Sequence, residues 1–174
     1  MGSWAEDAAR NAAAWTETNR EHTNDSARTN WALDEISWGI WGIDESELNV
    51  LPDVNGLDVV ELGCGTAYFS AWLAKRGARP VGVDITTAQL DTARRMMVET
   101  GIEFPLVEAD AGETGLPSAS FDLALSEYGA SIWADPCRKV TSRGWPPSPK
   151  SRPPKSTCKA LRIGASRTVP PSSV

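Results

Sequence analysis

The feature that most constrains this chain is the loop Gly63-Cys64-Gly65, set between two short apolar runs. Before it, Leu57 to Leu62 carries Val59 and Val60, with Glu61 near its end. After it, Phe69, Trp72 and Leu73 recur at helical spacing; Thr66 is placed to N-cap that helix and Gly77 to end it. Val81-Gly82-Val83-Asp84 then reads as a second strand that finishes on a carboxylate. A strand–loop–helix–strand unit of this length is a crossover, so its two strands are expected to be parallel. Open α/β sheets bind ligands at the carboxyl ends of their strands, and loop glycines let backbone approach a ligand closely.

The ligand can be narrowed from the same stretch. A dinucleotide fingerprint places a third glycine where this chain has Tyr68, whose ring argues against a tightly held pyrophosphate. No Lys-Ser or Lys-Thr follows the glycines, which excludes a P-loop. What remains is an acid two residues before the first glycine, a Gly-x-Gly, and a strand-end Asp84 nineteen residues after Gly65. This arrangement resembles the class I S-adenosylmethionine-dependent methyltransferases. Glu61, Gly63, Cys64 and Gly65 match that family's first motif and Asp84 its second. Ala109-Asp110-Ala111 looks like the adenine-contacting segment, and Ser120 to Glu127 like the fourth strand with its active-site end. The resemblance runs from Gly56 to Pro136; one departure is Ala67, where the family often has a third glycine.

The resemblance implies a fold and a set of roles. The fold class is α/β, a Rossmann-like sheet with N-terminal helices, missing its C-terminal strands. The cofactor is S-adenosyl-L-methionine, which brings the activated methyl group, while the protein supplies orientation and electrostatics. Asp84 would accept hydrogen bonds from two ribose hydroxyls, the alternative being a strand-end Asp that caps the next helix. Glu61 would face the cationic methionine moiety, or else accept from internal backbone amides, since an unpaired buried carboxylate is costly. These two acids would flank one cradle. Gly63 and Gly65 would pass beneath the ligand, or simply make a tight turn, with Cys64 packed between them. Asp110 would bond the adenine amino group and Ala111 flank the ring; Ile85 and Gln89 would line the ribose side. Ser126 sits with Glu127 and Tyr128 where the fourth strand meets the methyl group. Glu127 and Tyr128 are the candidates for a catalytic role, which the sequence does not otherwise assign.

Charge divides the chain in two. Residues 1–137 carry 8 basic and 23 acidic side chains, a net −15, whereas residues 138–174 carry 9 basic and no acidic ones. Nucleic acid is therefore not expected as a partner of the acidic part. No apolar run reaches the ~20 residues of a membrane span and no leader pattern opens the chain, so a cytoplasmic protein without a membrane partner is expected. Three cysteines without paired spacing and the single His22 argue against a disulfide frame or a metal site.

Three regions follow. Residues 1–55 read as a helical, Trp-rich lid or cap. Ser3-x-x-Glu6 is a capping box for a helix to about Arg20, with Trp4, Ala8 and Trp15 on one face. A second helix starts near Asn24 or Asp25, Ser37 to Ile43 reads as an ordered loop, and Asp44 caps a short turn through Leu48. Five of the eight tryptophans lie before residue 42, either cementing these helices to the domain or covering a ligand mouth. Residues 56–137 read as the incomplete cofactor-binding domain. Within it, Thr86-x-x-Gln89 is a second capping box, Leu90, Ala93 and Met97 share a helix face, and Gly101 closes that helix. Ile102 to Glu108 is an edge strand containing Pro105, Phe121 to Ser126 is the fourth strand, and a helix begins near Ala130. Residues 138–174 read as a basic, Pro- and Ser-rich disordered tail, holding seven of the chain's 12 prolines. Its composition suggests out-of-frame or truncated sequence, or else a natural basic tail, and it leaves the fourth strand as an open edge.

The function expected is methyl transfer from S-adenosylmethionine to a small-molecule acceptor. The alternative is a non-catalytic remnant or interaction module that keeps part of the cofactor site.

Overall fold

The computed structural model describes residues 4–19, 23–130 and 159–163. Its centre is a five-stranded parallel sheet. β1 (Ser37–Trp38) and β2 (Ile43–Asp44) form a separate small hairpin, and the main strands are β3 (Asp58–Leu62), β4 (Arg79–Asp84), β5 (Leu106–Glu108), β6 (Leu123–Glu127) and β7 (Lys159–Ile163). The order across the sheet is β5-β4-β3-β6-β7, every neighbour parallel. The helices are α1 (Trp4–Asn19), α2 (Thr23–Ala32), α3 (Glu45–Leu48), α4 (Tyr68–Lys75) and α5 (Thr87–Thr100). The chain passes from β3 through α4 to β4, then through α5 to β5, which is the doubly wound α/β pattern expected of a Rossmann-like sheet.

Burial explains why β3 is central. Val59, Val60 and Glu61 are consecutive and all buried, as in a strand covered on both faces. One apolar cluster joins Val59, Leu123 and Leu125 to Phe69, Trp72 and Leu73 of α4 and to Ile36 and Trp38. Another joins Ala27 and Trp31 of α2 to Ala71, Leu90, Ala93 and Met96. On α5 the buried position is Met96 rather than Met97, one residue from the expected stripe.

The N-terminal region is tied to the domain by indole N–H groups. Trp31 Nε1 donates to Thr66 O at 2.8 Å, and Trp72 Nε1 donates to Asp34 O at 2.7 Å. Lys75 Nζ donates to the carbonyls of Trp31 and Leu33, satisfying the exposed C-terminal end of α2. Arg28 makes a two-pronged bond with Glu99 at 2.8 and 2.9 Å, joining α2 to α5. Trp38 is buried, Trp41 is 66% exposed at the hairpin tip, and Trp15 lies beside the cavity described below.

Three sequence expectations are corrected here. Ser37 to Ile43 is not a loop throughout: Gly39 and Gly42, both with positive φ, close a hairpin between β1 and β2. Lys159–Ile163, assigned to the disordered tail, is a strand, and it covers the edge of β6 that the sequence reading left open. An unpaired strand edge offers a row of backbone donors and acceptors, and a short run with Ala160, Leu161 and Ile163 can take them. Neither the N-cap expected at Thr66 nor the capping box expected at Thr86 is built as expected, as the site geometry makes clear. The Ser3 box, His22, the helix expected beyond Ala130 and the remainder of the tail lie outside the described residues.

Gly63 is fixed by packing. It has φ +71, and a Cβ there would lie 2.3 Å from Ala130 N and 2.8 Å from Gly129 Cα. Both obstacles are backbone and cannot rotate away. Gly63→Ala is expected to destabilise the fold by about 2–5 kcal/mol, combining backbone strain with overpacking. Denaturant titration of the variant measures this, and an unchanged midpoint would contradict the packing described.

Candidate cofactor and acceptor site

The carboxyl ends of β3, β4 and β6 open onto two adjoining cavities. The first, about 200 Å³, is lined by Gly63, Gly65, Asp84, Ile85, Gln89, Asp110 and Ala111, with Trp15 of α1 above them. The second, about 290 Å³, is lined by Glu61, Cys64, Tyr68, Phe69 and Glu127, with α2 residues closing one side. Gly63, Gly65 and Gln89 line both, so the cavities meet at the glycine loop.

Asp84 stands at the tip of β4. Its Oδ2 accepts from Gly65 N at 2.8 Å and its Oδ1 accepts from Thr86 N at 2.8 Å. One carboxylate thus holds the glycine loop and the start of α5 together while facing the first cavity. The bond to Thr86 N has a consequence for the second capping box. Gln89 would ordinarily reach back to that amide. With the amide taken, Gln89 turns inward, where its Oε1 is buried without a hydrogen-bond partner. Thr86 itself makes no side-chain cap bond.

Glu61 is 3% exposed. Its Oε2 accepts from Ser70 N at 2.9 Å and from Ser70 Oγ at 2.5 Å. Ser70 is the third residue of α4, so a carboxylate from a neighbouring strand does the work of an N-cap side chain. This replaces the expected cap at Thr66: the helix starts at Tyr68, and the N-cap is Ala67 with φ +58. That left-handed backbone is one a glycine would adopt without the Cβ penalty. Burial pushes the Glu61 carboxyl up to about 8, against the lowering effect of the Ser70 bonds. Asp84 faces the first cavity and Glu61 the second, because Glu61 is drawn to α4.

The Glu61 shift fixes a pH dependence. The folded chain holds this proton up to about pH 8, whereas the unfolded chain releases it near 4.5. Folding therefore carries the extra proton between those values, and stability from this group falls as pH rises through that window. Glu61→Gln keeps an acceptor for Ser70 and removes the titration. Its melting temperature is expected to gain on the wild type progressively from pH 5 to pH 8.5. Parallel melting curves across that range would contradict the burial described.

Glu127 ends β6 and lines the second cavity. Its Oε1 accepts from Gly39 N of the hairpin at 3.1 Å, and burial raises its carboxyl above the ordinary range. The next residue, Tyr128, has φ +47 and lines the first cavity instead. A left-handed residue at a strand end is a costly conformation that tends to persist at functional turns. Here it sends consecutive side chains to different cavities. Ser126 is brought to neither: its Oγ donates to Leu62 O at 2.8 Å, pinning β6 to β3. Cys64 is buried against Gly82, where a Cβ would meet its Sγ at 3.0 Å, and burial pushes its thiol up; the packed role fits it. Asp110 Oδ1 accepts from Gly112 N at 2.6 Å, shaping the loop after β5.

Sequence reasoning missed Asn11, Thr86, Gly129 and Ala130 of the first cavity and Ser26, Ala27, Asn30 and Tyr68 of the second, whereas Trp15 lies at the first cavity as the lid alternative for the N-terminal tryptophans has it. Asn11 arrives from α1 by tertiary folding, which no local spacing signals. Tyr68 carried a signal, its place directly after the glycine loop, that was read only as an obstacle to dinucleotides.

The first cavity suits an adenosyl group. A ribose diol and an exocyclic amino group are donors, and Asp84 and Asp110 are acceptors. Gly65, with φ +55, leaves open space where a side chain would stand, the nearest atom to its absent Cβ being Gln89 Oε1 at 4.0 Å. Trp15 and Ile85 add apolar wall for a flat ring.

Residues 59–143 match the family model described as a methyltransferase domain. A ubiquinone biosynthesis O-methyltransferase from Stutzerimonas stutzeri is 32% identical over 77 residues, 36% of this chain and 33% of that protein. One from Ruegeria is 28% identical over 110 residues, 63% of this chain and 44% of that protein. The chain thus spans a third to under half of the length of these curated relatives. Among solved structures, an S-adenosylmethionine-dependent methyltransferase from Mesorhizobium loti is 39% identical, with TM-score 0.39 over 47% of this chain and 36% of that one. The matched segment, Val59 to Arg143, makes just under half of this chain similar to methyltransferase domains.

Proposed function

We propose that this chain binds S-adenosylmethionine in the first cavity and transfers its methyl group to a small-molecule acceptor in the second. The observation that carries the reading is Asp84: an acid at the tip of β4, locked by Gly65 N and Thr86 N, facing the cavity beside an open glycine. Both Asp84 oxygens keep a further lone pair, so a diol can be added without breaking either bond. Gly65, Ile85, Asp110 and Ala111 complete the nucleoside side, and Gly63 and Gln89 stand where the cavities meet.

The cofactor supplies a methyl group already activated on a sulfonium. The chain's own residues hold the two reactants in line and keep water out, which can contribute ~7–11 kcal/mol to lowering the barrier. Glu127 is placed to accept a proton from the acceptor, its raised carboxyl being closer to neutral pH than an ordinary glutamate. Tyr128 lines the first cavity, and this reading gives it no part on the acceptor. The net −15 of residues 1–137 favours a small molecule over a nucleic acid. No helix among the described residues is long and apolar enough to cross a membrane.

The test is methyl transfer from isotopically labelled S-adenosylmethionine to a panel of small acceptors, with labelled product resolved by chromatography. Transfer that Glu127→Gln slows while cofactor binding is retained supports the reading. Cofactor binding with no transfer to any acceptor class counts against it.

A further inference from the structure

The hairpin of β1 and β2 carries large apolar side chains where the fold does not use them. Gly42 N donates to Gly39 O at 3.3 Å, so Ile40 and Trp41 are the two central residues of a tight turn. Such positions ordinarily hold Gly, Asn, Asp, Pro or Ser. Here Ile40 is 70% exposed and Trp41 66%. The base of the hairpin is firmly built by contrast. Trp38 is buried against Phe69, with ring centroids 5.0 Å apart, and its Nε1 donates to Glu45 Oε2. Glu45 N donates to Ile36 O at 3.0 Å, and Glu45 Oε1 accepts from Leu51 N at 2.7 Å. The turn reaches the second cavity through Gly39, whose N–H donates to Glu127 Oε1 at 3.1 Å. Trp41 lies back over Gly39, its Cε3 3.9 Å from where a Cβ would stand. Resting on the proposed function, we propose that this hairpin is the acceptor-side gate of the second cavity, and that Ile40 and Trp41 close over the apolar body of the acceptor while its reacting atom lies at Glu127.

A gate needs a fixed base, a pivot and a face that gains by closing. Trp38 and Glu45 are the base. Gly39 and Gly42 are the pivot, at φ +65 and +58, where backbone without a Cβ turns most freely. The face is the indole of Trp41 with the side chain of Ile40, and its contact with water ends only when something apolar covers it. The acceptor's own body is the occupant that fits. A molecule whose N–H or O–H meets Glu127 extends past Gly39, and so beneath Trp41. Tyr68 and Phe69 line the same cavity and continue the apolar surface inward. Closure would also take water away from Glu127, which is half-buried as it stands. Ile40 and Trp41 touch the acceptor's body rather than its reacting atom, so they set which acceptors are held and not the chemistry.

The test uses the full chain saturated with S-adenosylhomocysteine, with phenol and 2-naphthol as probes that share one hydroxyl and differ in apolar body. 2-Naphthol is expected to bind about tenfold more tightly than phenol by calorimetry, and Trp41→Ala to cut that ratio about threefold or more while phenol binding stays within about twofold. A structural role alone would not move this ratio, since the exposed Trp41 contributes little to folding. The closing itself is read by fluorine NMR of the wild-type chain labelled with 5-fluorotryptophan, the Trp41 signal being the one lost in Trp41→Phe. Its broadening by a soluble gadolinium chelate is expected to fall when 2-naphthol is added and to persist with S-adenosylhomocysteine alone. A ratio unchanged in Trp41→Ala, a Trp41 signal equally accessible with 2-naphthol present, or no binding of 2-naphthol would each overturn the gate. Titration with S-adenosylhomocysteine alone reads the first cavity, so a failed cofactor reading is distinguishable from a failed gate.

Discussion

Asp84→Ala is expected to weaken S-adenosylmethionine binding about tenfold to a hundredfold, as measured by calorimetric titration. The magnitude is that of hydrogen bonds to a charged acceptor, ~1.5–3 kcal/mol. Two losses combine. The ribose loses its anionic acceptor, and Gly65 N and Thr86 N lose the oxygens that hold the glycine loop against α5. The second loss predicts a fall in stability without cofactor. Asp84→Asn separates the two, because one amide oxygen can still serve one backbone N–H while the charge is gone. An affinity unchanged in the alanine variant would remove Asp84 from the site.

Trp31→Ala is expected to be the most damaging single change to the fold among the N-terminal tryptophans. Trp31 is 1% exposed, stacks on Phe104 at 5.9 Å and donates Nε1 to Thr66 O at 2.8 Å. Removing a buried indole costs ~3–5 kcal/mol, which lowers the melting temperature by roughly 6–20 °C in a chain of this size. Because Thr66 belongs to the glycine loop, the variant is expected to bind cofactor less well even below its melting point. Trp41→Ala is the control: at 66% exposure it should stay within ~0.5 kcal/mol of the wild type. Equal destabilisation by the two variants would contradict the anchoring role given to Trp31.

The parts of the site that depend on backbone were legible in the sequence. Glycines between apolar runs announce a crossover loop, and the placement of Asp84 at a strand tip follows from strand length and period. The edge position of β5 was readable from Pro105. Side-chain partnerships across elements were not. Glu61 reads the same in sequence whether it faces a ligand or caps α4; only the packing of α4 on β3 decides for Ser70. Gln89 reads as half of a capping box, and a bond made by Asp84 displaces it. Asn11 reaches the cavity from α1, some fifty residues before the loop it covers. Lys159–Ile163 lies in Pro- and Arg-rich surroundings, and only the free edge of β6 makes a strand of it. Local pattern thus placed the elements, while competition for hydrogen bonds placed the functional side chains.

The first cavity is the nucleoside site we propose, organised by Asp84. Its most direct measurement is titration of the intact, folded chain with S-adenosylhomocysteine, followed by calorimetry and by amide exchange of the Gly63–Gly65 and Thr86 N–H groups. Saturable one-to-one binding that protects those amides is the predicted result. Absence of binding in protein whose circular dichroism shows it folded, or binding that leaves those amides unaffected, would contradict it.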